Sequence, residues 1–163
     1  MAANKATVSV SASVLPDDMK VGVGGTIVYD LNDMAGDDCK WIYYVNDIDT
    51  SSEVLIPADV GYLGTSGSAG HTTPTRTAAA DLLEFVVIKH SGFRSDGTTE
   101  STDNLFINAT HSTAAANATG NIVLEPGDVW WGRFAGTADT ADLTGLAAGN
   151  DIKVQVYAVL DDA

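Results

Sequence analysis

Residues 151–160 read Asp-Ile-Lys-Val-Gln-Val-Tyr-Ala-Val-Leu, and their alternation decides the fold class. Ile152, Val154, Val156, Ala158 and Leu160 fall on one side; Lys153, Gln155, Tyr157 and Val159 fall on the other. A period of two sends successive side chains to opposite faces of an extended chain, so this stretch is a β-strand with one apolar face. Residues 7–14 repeat the pattern near the other end, with Val8, Val10, Ala12 and Val14 alternating against Thr7, Ser9, Ser11 and Ser13.

Further strands are expected between these two. Residues 20–30 hold one, in which Gly24-Gly25 marks a bulge or bend. Residues 40–48 carry Trp41, Tyr43 and Val45 on one face and Ile42 and Tyr44 on the other. Two apolar faces indicate a central strand or one covered by a neighbour. Short strands follow at 53–56, 104–109, 121–124 and 128–134, and a buried one at the apolar run 82–90. Glu125-Pro126-Gly127-Asp128 has the Pro-Gly centre of a type II turn. Residues 64–77, 91–103 and 135–150 are rich in Gly, Ser, Thr and Asp and read as loops, with room for one helical turn at Ala78–Ala80. Eight or nine short strands with turn signals between them predict an all-β fold: one antiparallel β-sandwich over residues 1–163, jelly-roll or immunoglobulin-like.

Composition agrees. The 163 residues match one domain of roughly 100–150 residues. A hydrophobic share of 45% suffices for a packed core despite a net charge of −14. The acids are 18 Asp against 4 Glu, and Asp favours turns where Glu favours helices. The eight Lys and Arg residues are scattered, so neither nucleic acid nor an anionic membrane surface is an expected partner. No apolar run is long enough for a membrane helix. The opening MAANKATVSV has no basic start followed by an apolar block, so no secretory signal is expected. Cys39 is the single cysteine and reads as a small buried hydrophobe.

Reactive constellations are not discernible. His71, His90 and His111 are spread over three segments, and neither a zinc spacing, a nucleophile elbow nor a phosphate loop is present. Gly22-Val23-Gly24 opens like a dinucleotide fingerprint, but Ile27 stands at the third glycine. Asp30, Asn32 and Asp33 begin like a calcium loop, yet Ala35 and Trp41 occupy the glycine and glutamate positions. A looser calcium site shared with Asn46, Asp47 and Asp49 is left open against the alternative of solvated turns. Two Asn-Ala-Thr triplets, at 108–110 and 117–119, match a glycosylation acceptor and mean little in a Thr- and Ala-rich chain. No cofactor is expected.

Trp130-Trp131 is the unusual feature. Adjacent strand residues point oppositely, so one indole enters the core and the other turns outward, with Arg133 on the face of Trp131. Whether the second indole stays exposed or is covered by a loop is open at this level. Exposed Trp favours protein interfaces and sugar stacking. Strands at 7–14 and 151–160 are expected at sheet edges, which makes Val8, Val10, Val154, Val156, Trp130, Trp131 and Arg133 the candidate interface.

Alternating strands near both ends, Ala/Thr/Gly/Ser loops, an acidic surface and the turn LEPGDVWW together resemble the small virion structural proteins of tailed bacteriophages, marine ones in particular, and above all capsid decoration (cement) proteins. That resemblance implies a β-sandwich, often trimeric, made in the host cytoplasm and bound to the major capsid protein on the outer surface of a head. The alternative is a carbohydrate-binding or adhesion module that stacks sugars on the outward Trp and on Tyr43, Tyr44 or Tyr62, with loop Asp residues holding calcium. A third reading is another virion part: a capsid jelly roll, a fibre or a neck component.

Overall fold

The computed structural model describes residues 5–12, 23–30, 40–56, 61–63, 71–75, 81–109, 122–134 and 143–162. The chain forms two compact units, Met1–Cys39 and Lys40–Ala163. In the first, β1 (Lys5–Ala12) pairs antiparallel with β2 (Val23–Asp30), from Lys5 opposite Asp30 to Ala12 opposite Val23. The exposed hydroxyls of Ser9 and Thr26, directly opposite each other, lie 3.3 Å apart. Gly24 and Gly25 make no bulge: the register runs unbroken past Ser11 and Val10, because ladder hydrogen bonds need no Cβ.

Among the described residues the second unit holds ten strands: β3 (Lys40–Ile48), β4 (Glu53–Val54), β5 (Gly61–Leu63), β6 (His71–Thr75), β7 (Asp81–Arg94), β8 (Leu105–Asn108), β9 (Ile122–Leu124), β10 (Val129–Arg133), β11 (Thr144–Ala147) and β12 (Ile152–Asp162). Two antiparallel four-stranded sheets, ordered β10-β7-β12-β3 and β4-β11-β8-β9, make the β-sandwich. β5 and β6 form a separate antiparallel pair. No helix occurs among the described residues.

The two sheets share one core. Ile42 and Ile48 of β3, Leu83, Val86 and Ile88 of β7, and Ile152, Val154, Val156, Ala158 and Leu160 of β12 supply one side. Leu105, Ile107, Leu124 and Ala147 supply the other, with Leu55, Ile56 and Leu143 beside the strands. Fully burying each such Ile or Leu is worth roughly 1.5–3 kcal/mol, which dominates the favourable side of folding. β12 has the largest share because it pairs along most of its length with both β3 and β7.

Several segments differ from the sequence reading. β12 is interior to its sheet rather than at an edge, flanked by β7 and β3. β3, expected to be central or covered, is the end strand of the described sheet. His71–Thr75 and Thr144–Ala147 are strands inside stretches expected to be loops. Their ladders are backbone interactions, which Thr and Gly residues can enter without an apolar stripe. β7 also runs to Arg94, past the polar boundary expected at His90. It does so through an irregular step in which Ile152 faces Arg94 and Val154 faces His90, with Gly92 at φ +86. Ala78–Ala80, Cys39, Asn32, Asp33 and the second glycosylation triplet lie outside the described residues.

His90 pins this step. Its side chain is fully buried. Nδ1 accepts the Gly92 N–H at 3.0 Å, so Nε2 carries the proton and donates to the Asp103 carbonyl at 2.9 Å. Burial pulls the imidazole pKa below its usual 6.5, against smaller upward pulls from that carbonyl bond and from the carboxylates of Asp128 and Asp103. A base with a lowered folded pKa contributes its stability above the unfolded value and loses it as pH falls. Urea midpoints of the wild type are therefore expected to drop as pH is taken down through 6.5, and His90→Ala, weaker at pH 7, to lack that part of the slope.

The 125–128 turn forms as the sequence predicts. The Asp128 N–H donates to the Glu125 carbonyl at 2.9 Å, and Gly127 has φ +93. A Cβ on Gly127 would meet nothing within 4 Å, so Gly127→Ala isolates the backbone penalty. Denaturant unfolding is expected to show a loss of about 1–2 kcal/mol.

Candidate interaction face

The sheet β10-β7-β12-β3 turns Ile152, Val154, Val156, Ala158 and Leu160 of β12 into the core and Lys153, Gln155 and Tyr157 outward. Val154 and Val156 are 0% exposed, opposite His90 and Ile88 on β7. The surface of this strand is therefore that of Lys153, Gln155 and Tyr157, and Val154 and Val156 are core residues. Val8 and Val10 stand on β1 opposite Ile27 and Gly25; their side chains lie outside the described residues.

The register lines the outward residues up in rows across four strands. Trp131, Val87, Tyr157 and Tyr43 form one row. Val129, Lys89, Gln155 and Val45 form the next. Trp131 is 39% exposed, Tyr157 40%, Val45 39% and Val129 54%. The face is therefore apolar and aromatic, exposed at these four residues and half-buried at Val87, Tyr43 and Gln155. Contiguous exposed apolar surface of this kind marks an interaction site more often than scattered single residues do.

The two indoles separate as their adjacency predicts. Trp130 packs against the core, with Phe134 edge-on at 6.5 Å and 79°. Its ring crosses Gly132, where a Cβ would come within 2.7 Å of the indole. Trp131 points out and lies 6.3 Å from the ring of Phe85, which is 3% exposed. Arg133 is exposed on the same side, opposite Phe85. Tyr43 and Tyr157 have ring centroids 4.5 Å apart, and partial burial followed by the neighbouring Tyr43 pushes the Tyr157 hydroxyl above its usual pKa of 10.0. Tyr44 faces the other way, half-buried against the core, and the Tyr62 side chain lies outside the described residues. Val87, Lys89, Val129 and Tyr157 were not singled out from the sequence. Their signal was present in the parity of 151–160 and in the spacing of Val129 from Trp131, but combining them requires the strand order.

The strand ends next to the Val129–Val45 row are acidic. Asp47 is held by Lys153 at 2.8 Å, an exposed pair of small energetic weight. The Asp49 carboxylate accepts the Ser51 N–H. Asp30 closes β2, and its side chain is outside the described residues. Among the described residues no three His, Cys, Asp or Glu side chains gather as a metal site. Asp96, by contrast, is fixed by the Thr98 and Thr99 N–H groups at 2.8 Å each and by the Thr99 hydroxyl, which holds its carboxyl well below the usual range.

Glu53 is held above its ordinary pKa of 4.5, chiefly by burial and then by Asp49, with Asp151 adding to it. A carboxylate with a raised folded pKa costs stability as pH rises through that window, because the folded state holds the proton more tightly. Glu53→Gln is therefore expected to raise the melting temperature at pH 7 and to give no gain at pH 4, by differential scanning calorimetry.

No protein-family model, no curated protein and no solved structure matches the chain.

Proposed function

We propose that the chain is a non-enzymatic virion structural protein, a capsid decoration protein that binds the outside of a tailed-phage head and reinforces it. The observation that carries this reading is the row of Trp131, Val87, Tyr157 and Tyr43 across one sheet, in which Trp131 and Tyr157 are exposed and Val87 and Tyr43 half-buried. A surface built on strands holds its side chains in fixed register, so it meets a partner without first having to be ordered. The acidic remainder of the chain supports the same reading, since net charge keeps exposed particles apart. The phage-like character of the sequence supplies the identity of the container: a head built from a major capsid protein, with this protein on its outer surface, most simply as a trimer.

Such a protein works by mass action. Contact made only with the assembled shell stabilises that shell by RT ln(1 + [L]/Kd), and many identical copies multiply a modest contact. The aromatic row also favours a second reading, in which Trp131 and Tyr157 stack on sugar rings.

Cryo-electron microscopy of particles from the virus that encodes the chain tests the first reading. Outer density that fits the two four-stranded sheets, with the Trp131 face against the shell or a neighbouring copy, is expected; purified particles lacking the chain would overturn it. Val129→Glu with Tyr157→Glu is expected to release the protein from particles while unfolding stays within about 1 kcal/mol of wild type, as for surface substitutions. Retention of the variant on particles together with lost glycan-array binding would favour the sugar reading.

A further inference from the structure

We infer that β10 is a joining edge, through which the chain pairs antiparallel with β10 of a second copy. This goes beyond the virion reading and does not rest on it.

Hydrogen-bond parity carries the argument. Along an antiparallel pair, residues that exchange both backbone bonds with the partner strand alternate with residues whose N–H and C=O point away from it. The two ends of the β10–β7 pairing fix which are which. The His90 N–H donates to the Asp128 carbonyl at 3.0 Å, and the Phe134 N–H donates to the Glu84 carbonyl at 3.0 Å. Trp130 and Gly132, opposite Ile88 and Val86, share that parity and commit their backbone groups to β7. Val129 and Trp131 turn theirs the other way, where no described strand lies, because β10 ends its sheet. Among the described residues nothing partners these two N–H and two C=O groups. Both residues are exposed, at 54% and 39%.

Proteins usually blunt such an edge with Lys, Pro or a bulge. Here the register with β7 runs without a bulge from Val129 to Arg133, and residues 129–132 are Val-Trp-Trp-Gly. At the other end of the sheet β5 lies near β3, so β10 is the edge left bare.

A second copy fits this edge. With a two-fold axis beside Trp130, Val129 of each copy stands opposite Trp131 of the other. Two donors and two acceptors then meet their complements, and four hydrogen bonds use the four unpartnered groups. The same pairing lays each exposed Val129 against the other copy's Trp131, an aromatic–β-branched contact of the kind that stabilises cross-strand pairs. The joint is isologous, so it closes at two copies and starts no filament. Pairing this short falls below the roughly 1,200 Å² of a stable interface, which makes association of free chains weak and concentration-dependent. In the proposed role it would tie one trimer to the next, where many copies on one shell multiply it.

Amide hydrogen exchange of the full chain, read residue by residue by NMR in dilute and concentrated solution, tests the joint beside sedimentation velocity. The Val129 and Trp131 amides are expected to exchange freely when dilute and to gain at least roughly tenfold protection where a dimer forms, with Trp130 and Gly132 protected in both. Val129→Pro removes an N–H that β7 does not use, at the first position of a strand, where Pro is tolerated. It is expected to melt within a few degrees of wild type and to weaken dimerisation at least roughly tenfold, since two of the four joint bonds are gone. Val129→Thr keeps the N–H and the β-branch and is expected to stay within roughly threefold of wild type. A wild type monomeric at every concentration, a dimer whose Val129 and Trp131 amides stay unprotected, or equal losses from Pro and Thr would overturn the inference. Protection of those amides on particles, with no dimer in solution, would overturn it in favour of a strand from the shell. A dimer protected at Val129 and Trp131 that decorates no particle would leave the joint standing and remove the proposed function.

Discussion

The fixed parity of β12 is the constraint on which the rest of the structure depends. Paired on both sides, with Tyr157 opposite both Val87 and Tyr43, the strand cannot slip by one residue without exchanging its two faces. Such a slip would expose Ile152, Val154, Val156, Ala158 and Leu160 and bury Lys153 and Gln155. Register and core are therefore one decision, and the outer face is what that decision leaves over. Its rows are straight because every strand contributing to them is locked to β12 directly or through β7.

That outer face departs from a simple inside-out rule in an informative way. An antiparallel sheet with one solvated face usually shows polar residues there. Here Lys153 and Gln155 obey the rule, whereas Tyr157, Trp131, Val129 and Val45 do not. At one margin of the face Phe85 and Val159 are nearly buried, at 3% and 1% exposure, so the apolar character is continuous from covered to open positions. Trp131 sits at that transition, against Phe85. Core packing does not call for Val129 or Tyr157 to be apolar; the proposed binding role would.

The sequence was informative wherever the signal is local. Period-two alternation identified β1, β3 and β12, the Pro-Gly pair identified the turn that leads into β10, and adjacency alone separated the two indoles. It failed where the cause lies elsewhere in the chain. Which strand is an edge depends on partners distant in sequence: 151–160 looked like an edge because it alternates cleanly near the end of the chain, yet it is flanked on both sides. For the same reason the interface role expected of Val154 and Val156 gives way to core burial; alternation says that two faces differ but not which neighbours cover them. The strands within His71–Thr75 and Thr144–Ala147 carry little apolar periodicity because their ladders rest on backbone hydrogen bonds. Only once the strand order is known do Lys89, Val129 and Tyr157 join Trp131 on one surface.

The central claim is that this outer face is where the protein works, and hydroxyl-radical footprinting compares it most directly in the isolated chain and in the assembled state. Oxidation of Trp131 and Tyr157, both open in the single chain, is expected to fall sharply on assembly, while the exposed Phe93 on the 92–100 hairpin keeps its reactivity. Equal oxidation of Trp131 and Tyr157 in the two states would contradict the account.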